Sequence, residues 1–302
     1  MENAEEKPAV YIDENVDIHE GAEAEAMLKD RRTFHLVDAR YGITEVDQNR
    51  WEEAQRYEKR VWMDLNPASS SDRNEDHWAR FAKYVDLKGK AFRRGIELGC
   101  GPFTNMRFIV QSCAVDEVYL LDPLIDSYLK HPGCQYKHRR FSGVFNALAD
   151  GSTPKTFRHL RECYRMGGWR GKPVRIVASM IEECPVSDSF DLAVMINVIE
   201  HCRNVHAVFH KILDLLSPGG VFVFHDRLYN AGELEKLSER LYDAGHPLRV
   251  DQSVVREFLG RHFDAMMSRE TEVAREYKSV TWRETELYYI GKKKQNGSGG
   301  KG

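Results

Sequence analysis

Glycine and acidic residues stand in a short stretch where they could bind a nucleoside. Gly99 and Gly101 follow an apolar run that is typical of a strand, and a ligand can approach the backbone closely where there is no side chain. The helix expected next begins with unpaired amide groups. Asp122 ends the following apolar run, 21 residues after Gly101. At this spacing a carboxylate can accept hydrogen bonds from both ribose hydroxyls of an adenosine. The pattern predicts a nucleoside cofactor, with a structural glycine turn as the alternative.

Two neighbouring residues distinguish between nucleoside cofactors. A dinucleotide site has a third glycine three residues after the second, and this chain has Thr104 there. Glu97, two residues before Gly99, would oppose a pyrophosphate. An acid at that position does suit S-adenosylmethionine (SAM), which carries a cationic sulfonium and an ammonium group. The residues therefore favour SAM over a dinucleotide.

These residues resemble the first motif of the class I SAM-dependent methyltransferases, E/D-x-G-x-G-x-G. The resemblance extends over about residues 90–230, with further motifs in the family's order. Asp122 matches the ribose-binding acid, IEECPVSDSFDLAVMINVIEH (181–201) is similar to E-x-L-P-F-x-D-x-S-F-D followed by N-V-L-E-H, and LSPGGVFVFHD (216–226) is similar to the L-x-P-G-G turn. The resemblance implies a methyltransferase that uses SAM and releases S-adenosylhomocysteine (SAH).

The resemblance also implies how the cofactor is held. Glu97 and the glycines would surround its methionine part, Met180 and Ile181 would flank the adenine, and the backbone of Asn197 would face the sulfonium or amino group. Phe103 replaces the family's third glycine, and Met180 stands where many relatives have an acid. The predicted cofactor-binding residues are Glu97, Gly99, Cys100, Gly101, Asp122, Pro123, Met180, Ile181 and Asn197.

Histidines follow the predicted fourth and fifth strands, at the edge where open α/β sheets bind substrates. A histidine with a pKa near 6.5 is a suitable base at neutral pH. We predict His225 as the general base with Asp226 orienting it, and His201 as the alternative, although the N-V-I-E-H segment can also be a purely structural helix start. His246, in GHPLRV, is a further candidate on the substrate side.

A metal site is a competing interpretation of the same region. Small-RNA terminal 2′-O-methyltransferases and ubiquinone-pathway O-methyltransferases hold a divalent ion with E-x-x-E-H on this helix. Asn197 replaces the first acid here, which leaves Glu200, His201 and at most His225. That is a poor octahedral ligand set, so we do not expect a divalent metal.

The hydrophobic periodicity between these residues predicts the fold. Residues 48–65 and about 76–87 have helical spacing, and near-continuous apolar runs after residue 90 are typical of parallel strands that are covered on both faces. Strand-like stretches near 270–277 and 283–291 could add an antiparallel hairpin at one edge. We predict an α/β fold with a doubly wound, mostly parallel seven-stranded sheet, an N-terminal helical cap and an insertion after strand two.

Charge is unevenly distributed although the net charge is only −3. Residues 1–30 hold ten acids against two bases, and residues 130–175 hold eleven Lys and Arg residues against two acids. The first block is expected to be mobile. The predicted divisions are an acidic N-terminal segment (1–45), a helical cap (46–90), a SAM-binding domain (91–292) with the basic insertion (123–172) as a candidate substrate cap, and a flexible tail (293–302).

The basic insertion and the aromatic residues of the 48–65 helix would frame the methyl acceptor. Arg139 and Arg140 would bind an anion, and Tyr57 would belong to the opposite wall. We predict a small anionic metabolite of sugar-linked or natural-product type. RNA is the alternative, against which a pI near 6.5 argues. A non-catalytic SAM-fold partner protein and an NAD-dependent oxidoreductase are further alternatives.

Composition excludes several classes of protein. The chain has no run of about 18–20 apolar residues, and its N-terminus lacks the basic and apolar segments of a secretory signal. Six cysteines lie 13 to 29 residues apart without a C-x-x-C pair, as expected of reduced thiols. We therefore expect a cytoplasmic protein that does not enter a membrane, and the sequence leaves its oligomeric state open.

Overall fold

The computed structural model describes residues 9–11, 42–65, 74–131, 133–134, 136, 174–234, 241–277 and 280–295. Arg139, Arg140 and most of the basic insertion lie outside the described residues, as does most of the acidic N-terminal segment. The predicted domain boundaries stay predictions.

A seven-stranded sheet forms the centre of the described structure. Its order is β10-β11-β7-β6-β3-β4-β5, and neighbours from β7 to β5 pair in parallel. The C-terminal hairpin of β10 and β11 adds antiparallel strands at the β7 edge. This confirms the predicted fold. In chain order the strands are β1 (Ala9–Tyr11), β2 (Gly42–Ile43), β3 (Ala91–Leu98), β4 (Ala114–Leu121), β5 (Val174–Val177), β6 (Phe190–Ile196), β7 (Leu216–Leu228), β8 (Leu241–Asp243), β9 (Arg249–Val250), β10 (Phe263–Tyr277) and β11 (Val280–Lys293).

Helices lie before the sheet and between its strands. They are α1 (Gln48–Arg60), α2 (Asn74–Arg80), α3 (Met106–Ile109), α4 (Ile125–Tyr128), α5 (Val205–Leu215) and α6 (Gln252–His262), with a π-helical turn (Val61–Leu65) after α1 and 3-10 turns at Ala82–Leu87 and Ile199–His201. None of the described helices is long and apolar enough to cross a membrane.

The two N-terminal helices differ in how they follow the sequence pattern. Asp47 caps α1, because its carboxylate accepts hydrogen bonds from the backbone amides of Asn49 at 2.9 Å and Arg50 at 3.1 Å. The helix predicted over about 76–87 is shorter than expected. α2 ends at Arg80, and the backbone at Lys83 and Tyr84 has φ of 59° and 54°, which an α-helix cannot contain.

Both faces of the parallel strands β3, β4, β6 and β7 are covered by buried side chains, which explains their near-continuous apolar sequences. In β6, Met195 packs with α5 and α6 residues such as Phe209 and Phe258 on one face. Its neighbour Val194 belongs to the opposite face, with Phe108. Burying one such side chain stabilises the fold by about 1.5–3 kcal/mol. This packing holds the carboxyl ends of the strands in place, and the candidate site lies there.

Candidate active site

The loop between β3 and α3 forms one wall of a cavity at the carboxyl edge of the sheet. Gly99 and Gly101 have φ of 70° and 54°, in the left-handed region that favours glycine. A side chain at Gly99 would also meet a methyl group of Val198 at 2.4 Å. Glycine at position 99 is therefore required both by its backbone conformation and by the close approach of the turn after β6.

Glu97 shapes this loop from the protein interior. Its carboxylate accepts hydrogen bonds from the backbone amides of Asn105 at 2.8 Å and Met106 at 3.3 Å, and from the hydroxyl of Thr104. Burial raises the pKa of Glu97 to about 7. The resemblance implies that Glu97 contacts the methionine part of the cofactor. In the structure, Glu97 does not line the cavity. Its position instead secures the start of α3 and the curvature of the loop.

Asp122 stands at the end of β4 and faces the glycine loop. Its carboxylate accepts hydrogen bonds from the backbone amides of Gly101 at 3.1 Å and Leu124 at 2.8 Å. Burial is the largest influence on this group and raises its pKa to about 6. Asp122 lines the cavity, as a ribose-binding acid must.

The structure brings nearly all of the predicted cofactor-binding residues to one cavity. Glu97 is the exception and lies behind the loop. The predicted residues that line the cavity are Gly99, Cys100, Gly101, Asp122, Pro123, Met180, Ile181 and Asn197. Because they come from the ends of β3, β4 and β6 and from the loop after β5, the parallel sheet itself assembles them.

Asp226 holds the turn that follows β6. Its carboxylate accepts hydrogen bonds from the backbone amides of Val198 at 2.9 Å and Ile199 at 2.6 Å. Burial and the nearby Glu200 carboxylate raise the pKa of Asp226 to about 7. The sequence predicts that Asp226 orients His225, but these hydrogen bonds join Asp226 to the turn after β6. Asp226 instead positions the short turn that carries His201.

His225 lies in the interior of the sheet. It is 2% exposed, its Nδ1 lies 3.0 Å from the carbonyl oxygen of Leu287, and its ring stacks on Tyr288 with centroids 4.0 Å apart. Burial lowers its pKa well below the usual value. His225 does not line the cavity, whereas His77, with a ring centroid 4.6 Å from that of His225, does. His225 is the base predicted from the sequence, but a buried ring outside the cavity wall is not placed to take a proton from an acceptor in the cavity.

The other two predicted histidines meet in the cavity. The ring centroids of His201 and His246 are 4.6 Å apart, and both residues line the cavity. The Nδ1 of His201 lies 3.0 Å from the carbonyl oxygen of Gly245 and 3.6 Å from a carboxylate oxygen of Glu58. Burial lowers the pKa of His201, and the Glu58 carboxylate opposes that shift. An uncharged imidazole at this position can accept a proton from a bound nucleophile.

The ligand set considered for a metal is not assembled. Glu200 forms an ion pair with Arg227, and His225 is enclosed by β11 and His77. A different group, Glu58 with His201 and His246, has side-chain ligand atoms within 4.8 Å of one another. Two imidazoles and a carboxylate can hold zinc, but the same groups beside a nucleophile can also share a proton.

One face of α1, continued by the π-helical turn after it, forms the wall opposite the glycine loop. Trp51, Gln55, Glu58 and Trp62 line the cavity, at the helical spacing i, i+4, i+7 and i+11. Gln55 and Glu58 were not predicted from the sequence, although this helical spacing makes them neighbours of the tryptophans. Tyr57, predicted for this wall, does not line the cavity.

Phe103 and α2 complete the enclosure. The ring of Trp62 meets that of Phe103 edge-on with centroids 5.9 Å apart, so the residue that replaces a glycine connects the loop to the N-terminal helix. Asn74 donates a hydrogen bond to the carbonyl oxygen of Phe103. Asn74 and His77 also line the cavity, and neither was predicted from the sequence.

A family model described as a methyltransferase domain matches residues 70–269, well over half of the chain. The chain belongs to this family. As a class I SAM-dependent methyltransferase, it has the glycine loop after β3 and the acid at the end of β4 on the seven-stranded sheet described above.

The chain is also similar to solved structures at low sequence identity. N-methyltransferase NodS from Bradyrhizobium japonicum WM9, in complex with SAH, is 13% identical with a TM-score of 0.48, covering 82% of this chain and 100% of that one. YcgJ from Bacillus subtilis is 12% identical with a TM-score of 0.47, covering 73% and 99%. The 1,6-didemethyltoxoflavin-N1-methyltransferase of Burkholderia thailandensis is 16% identical with a TM-score of 0.39, covering 87% and 99%. No curated protein sequence matches the chain.

Proposed function

We propose that this methyltransferase transfers the methyl group of SAM to an oxygen or nitrogen of a small molecule, with His201 as the general base. The observation that carries the proposal is that His201 lines the same cavity as the glycine loop and Asp122. Cofactor and acceptor would thus share one enclosure between the sheet edge and α1.

The cofactor would lie along the ends of the parallel strands. Asp122 would accept hydrogen bonds from the ribose hydroxyls, Met180 and Ile181 would flank the adenine, and the methionine part would extend toward Gly99 and Asn197. SAM carries a net positive charge, because it has a sulfonium and an ammonium group but only one carboxylate. The carboxylates of Asp122 and Glu58, both on the cavity wall, favour such a cation electrostatically.

His201 would take up the proton of the acceptor. Its Nδ1 lies beside the Gly245 carbonyl oxygen, which favours the tautomer with hydrogen on Nδ1 and a lone pair on Nε2. The nucleophile attacks the methyl carbon, the carbon–sulfur bond breaks, and its electron pair stays on sulfur to give SAH. The proton released by the acceptor moves to Nε2. Because the sulfonium is already activated, holding the two reactants in line supplies most of the rate acceleration.

The acceptor is proposed to be a small anionic metabolite. Arg139 and Arg140, the residues predicted to bind it, lie outside the described residues, so the anionic character rests on the basic composition of residues 130–175. We propose cytoplasmic action, since the described cysteines are all free thiols.

Thermal unfolding tests the cofactor, and a labelled-methyl assay tests the acceptor. SAM or SAH at 100 times its Kd should stabilise the protein by about 2.7 kcal/mol, while NAD should have no effect. Incubation with methyl-labelled SAM and a panel of carboxylated and phosphorylated metabolites should then label a small molecule. Label that appears only in added RNA would favour the alternative substrate. Absence of stabilisation by both SAM and SAH would overturn the proposal.

A further inference from the structure

The N-terminal helix α1 contacts the proposed base through several side chains. Trp51 donates a hydrogen bond from Nε1 to the backbone carbonyl oxygen of His201 at 3.1 Å, and Gln55 donates from Nε2 to the same oxygen at 3.3 Å. Glu58, one turn further along the same face, brings a carboxylate oxygen to 3.6 Å from Nδ1 of the imidazole. The helix therefore holds the backbone of His201 and places a carboxylate beside its ring.

Glu58 is itself held in place. Its second carboxylate oxygen accepts a hydrogen bond from Nε1 of Trp62 at 3.0 Å, one helical turn away. Its side chain is only 16% exposed. A carboxylate fixed in this way interacts with a neighbouring charge more strongly than a solvated one does.

We infer that Glu58 is the positioning residue of His201: its carboxylate orients the imidazole and stabilises the imidazolium that forms when the acceptor loses its proton. The inference rests on the proposed function, because it requires His201 to be the base. It assigns a part in proton transfer to a helix for which the sequence predicts only a cap and a wall of the acceptor site.

The other groups that face His201 are less suited than Glu58 to stabilise the imidazolium. His246 would repel a second positive charge, and the carboxylate of Glu200 is already engaged by Arg227. The Gly245 carbonyl oxygen accepts from Nδ1 but carries no net charge. Both carboxylates favour the charged ring, and that of Glu58 has the larger effect, so Glu58 is the anion that mainly balances the charge gained by the ring.

Glu58 and Gly245 also approach the same side of the ring. Both lie near Nδ1, so both favour a proton on that nitrogen and a lone pair on Nε2. A side chain at Gly245 would come within 2.9 Å of the Glu58 carboxylate, which shows how closely the helix and this loop enclose the ring. With Nδ1 protonated in this way, Nε2 is the ring nitrogen that can take the proton of the acceptor.

The experiment is a pH titration of histidine signals by NMR in the full chain, labelled with nitrogen-15 in its imidazoles and saturated with SAH. The spectrum of His201→Gln identifies the His201 signals. In Glu58→Gln, the titration of His201 should move to lower pH by about one unit, because a negative charge beside the ring has been removed. The matched control Glu52→Gln changes an exposed carboxylate on the same helix, which pairs with Gln48, and should leave the titration unchanged.

A second variant covers the case in which Glu58→Gln fails to fold. Trp62→Phe removes the hydrogen bond that holds the carboxylate and should shift the titration in the same direction by a smaller amount. An unchanged His201 titration in Glu58→Gln, or in Trp62→Phe if the first does not fold, overturns the inference. Failure of the wild-type protein to bind SAH would instead contradict the proposed function.

Discussion

The carboxylate of Asp122 accepts a hydrogen bond from the backbone amide of Gly101 at 3.1 Å, across 21 positions of sequence. The bond joins the end of β4 to the glycine loop after β3. One oxygen of this acid therefore shapes the loop while the residue also lines the cavity. Gly101 and Asp122 are related in the sequence only by their spacing, and in the structure they are joined by a direct hydrogen bond.

Replacing Asp122 should weaken the binding of SAH. Asp122→Ala removes the predicted partner of the ribose hydroxyls and the anchor of Gly101, which should cost about 1–3 kcal/mol, or about 5-fold to 150-fold in Kd. Isothermal titration calorimetry measures the change. Asp126→Ala, at an exposed position on α4, is the control and should bind SAH normally. Normal binding by Asp122→Ala would place the ribose elsewhere.

A methyl group at Gly99 should be far more harmful than one at Gly260. Gly99→Ala forces a side chain into a backbone with φ of 70° and against Val198, so we expect loss of SAH binding and lower stability. Gly260→Ala, in α6 with nothing within 4 Å of the new atom, should stabilise the protein by up to about 1 kcal/mol. Chemical denaturation and calorimetry on both variants check this. Equal stability of the two would contradict the described loop geometry.

His201 should affect turnover but not cofactor affinity. His201→Gln removes the proposed base and should lower kcat by about 100-fold or more with any acceptor that the wild-type protein methylates. Its Kd for SAH should stay within twofold. His225→Asn, in contrast, should retain turnover, because its ring lies outside the cavity. The reverse pattern would restore His225 as the base.

His225 should make the folded protein sensitive to acid. Its pKa is well below 6.5 when folded, so below about pH 6.5 the unfolded chain binds more protons than the folded one. Stability must then fall as pH decreases from about 6.5. His225→Asn should be less stable at pH 7.5 but should lose less additional stability on acidification. Urea unfolding at pH 7.5 and 5.5 measures both quantities, and an identical pH dependence in the two proteins would refute this account.

Removal of metal ions should leave this methyltransferase unchanged. Glu58, His201 and His246 are close enough to bind a cation, but we expect them to act in proton transfer. Millimolar EDTA should alter neither the unfolding temperature nor the affinity for SAH. Metal content that copurifies with the wild-type protein and disappears in His201→Gln would show that the group binds a metal instead.

Local pattern determined the cofactor side of this protein. Strand periodicity, the glycines at positions 99 and 101, and the spacing to Asp122 are visible in sequence because they depend on backbone conformation and on residues next to one another. Because the strands pair in parallel, their carboxyl ends then lie at one edge of the sheet. The fold, the glycine loop and Asp122 follow from these short-range rules, whereas Met180, Ile181 and Asn197 were predicted from the resemblance to the family.

Only the tertiary structure determined which residues surround the proposed acceptor site. The sequence predicts that His225 and Asp226 follow a strand as His201 does, yet both lie within β7, and the pairing of β7 with β11 buries His225 against Tyr288. Glu58 reaches His201 from 143 positions away only because α1 packs across the sheet edge. Which face of a strand a side chain takes, and which helix covers that edge, depend on packing between distant segments, and sequence periodicity does not encode the partners.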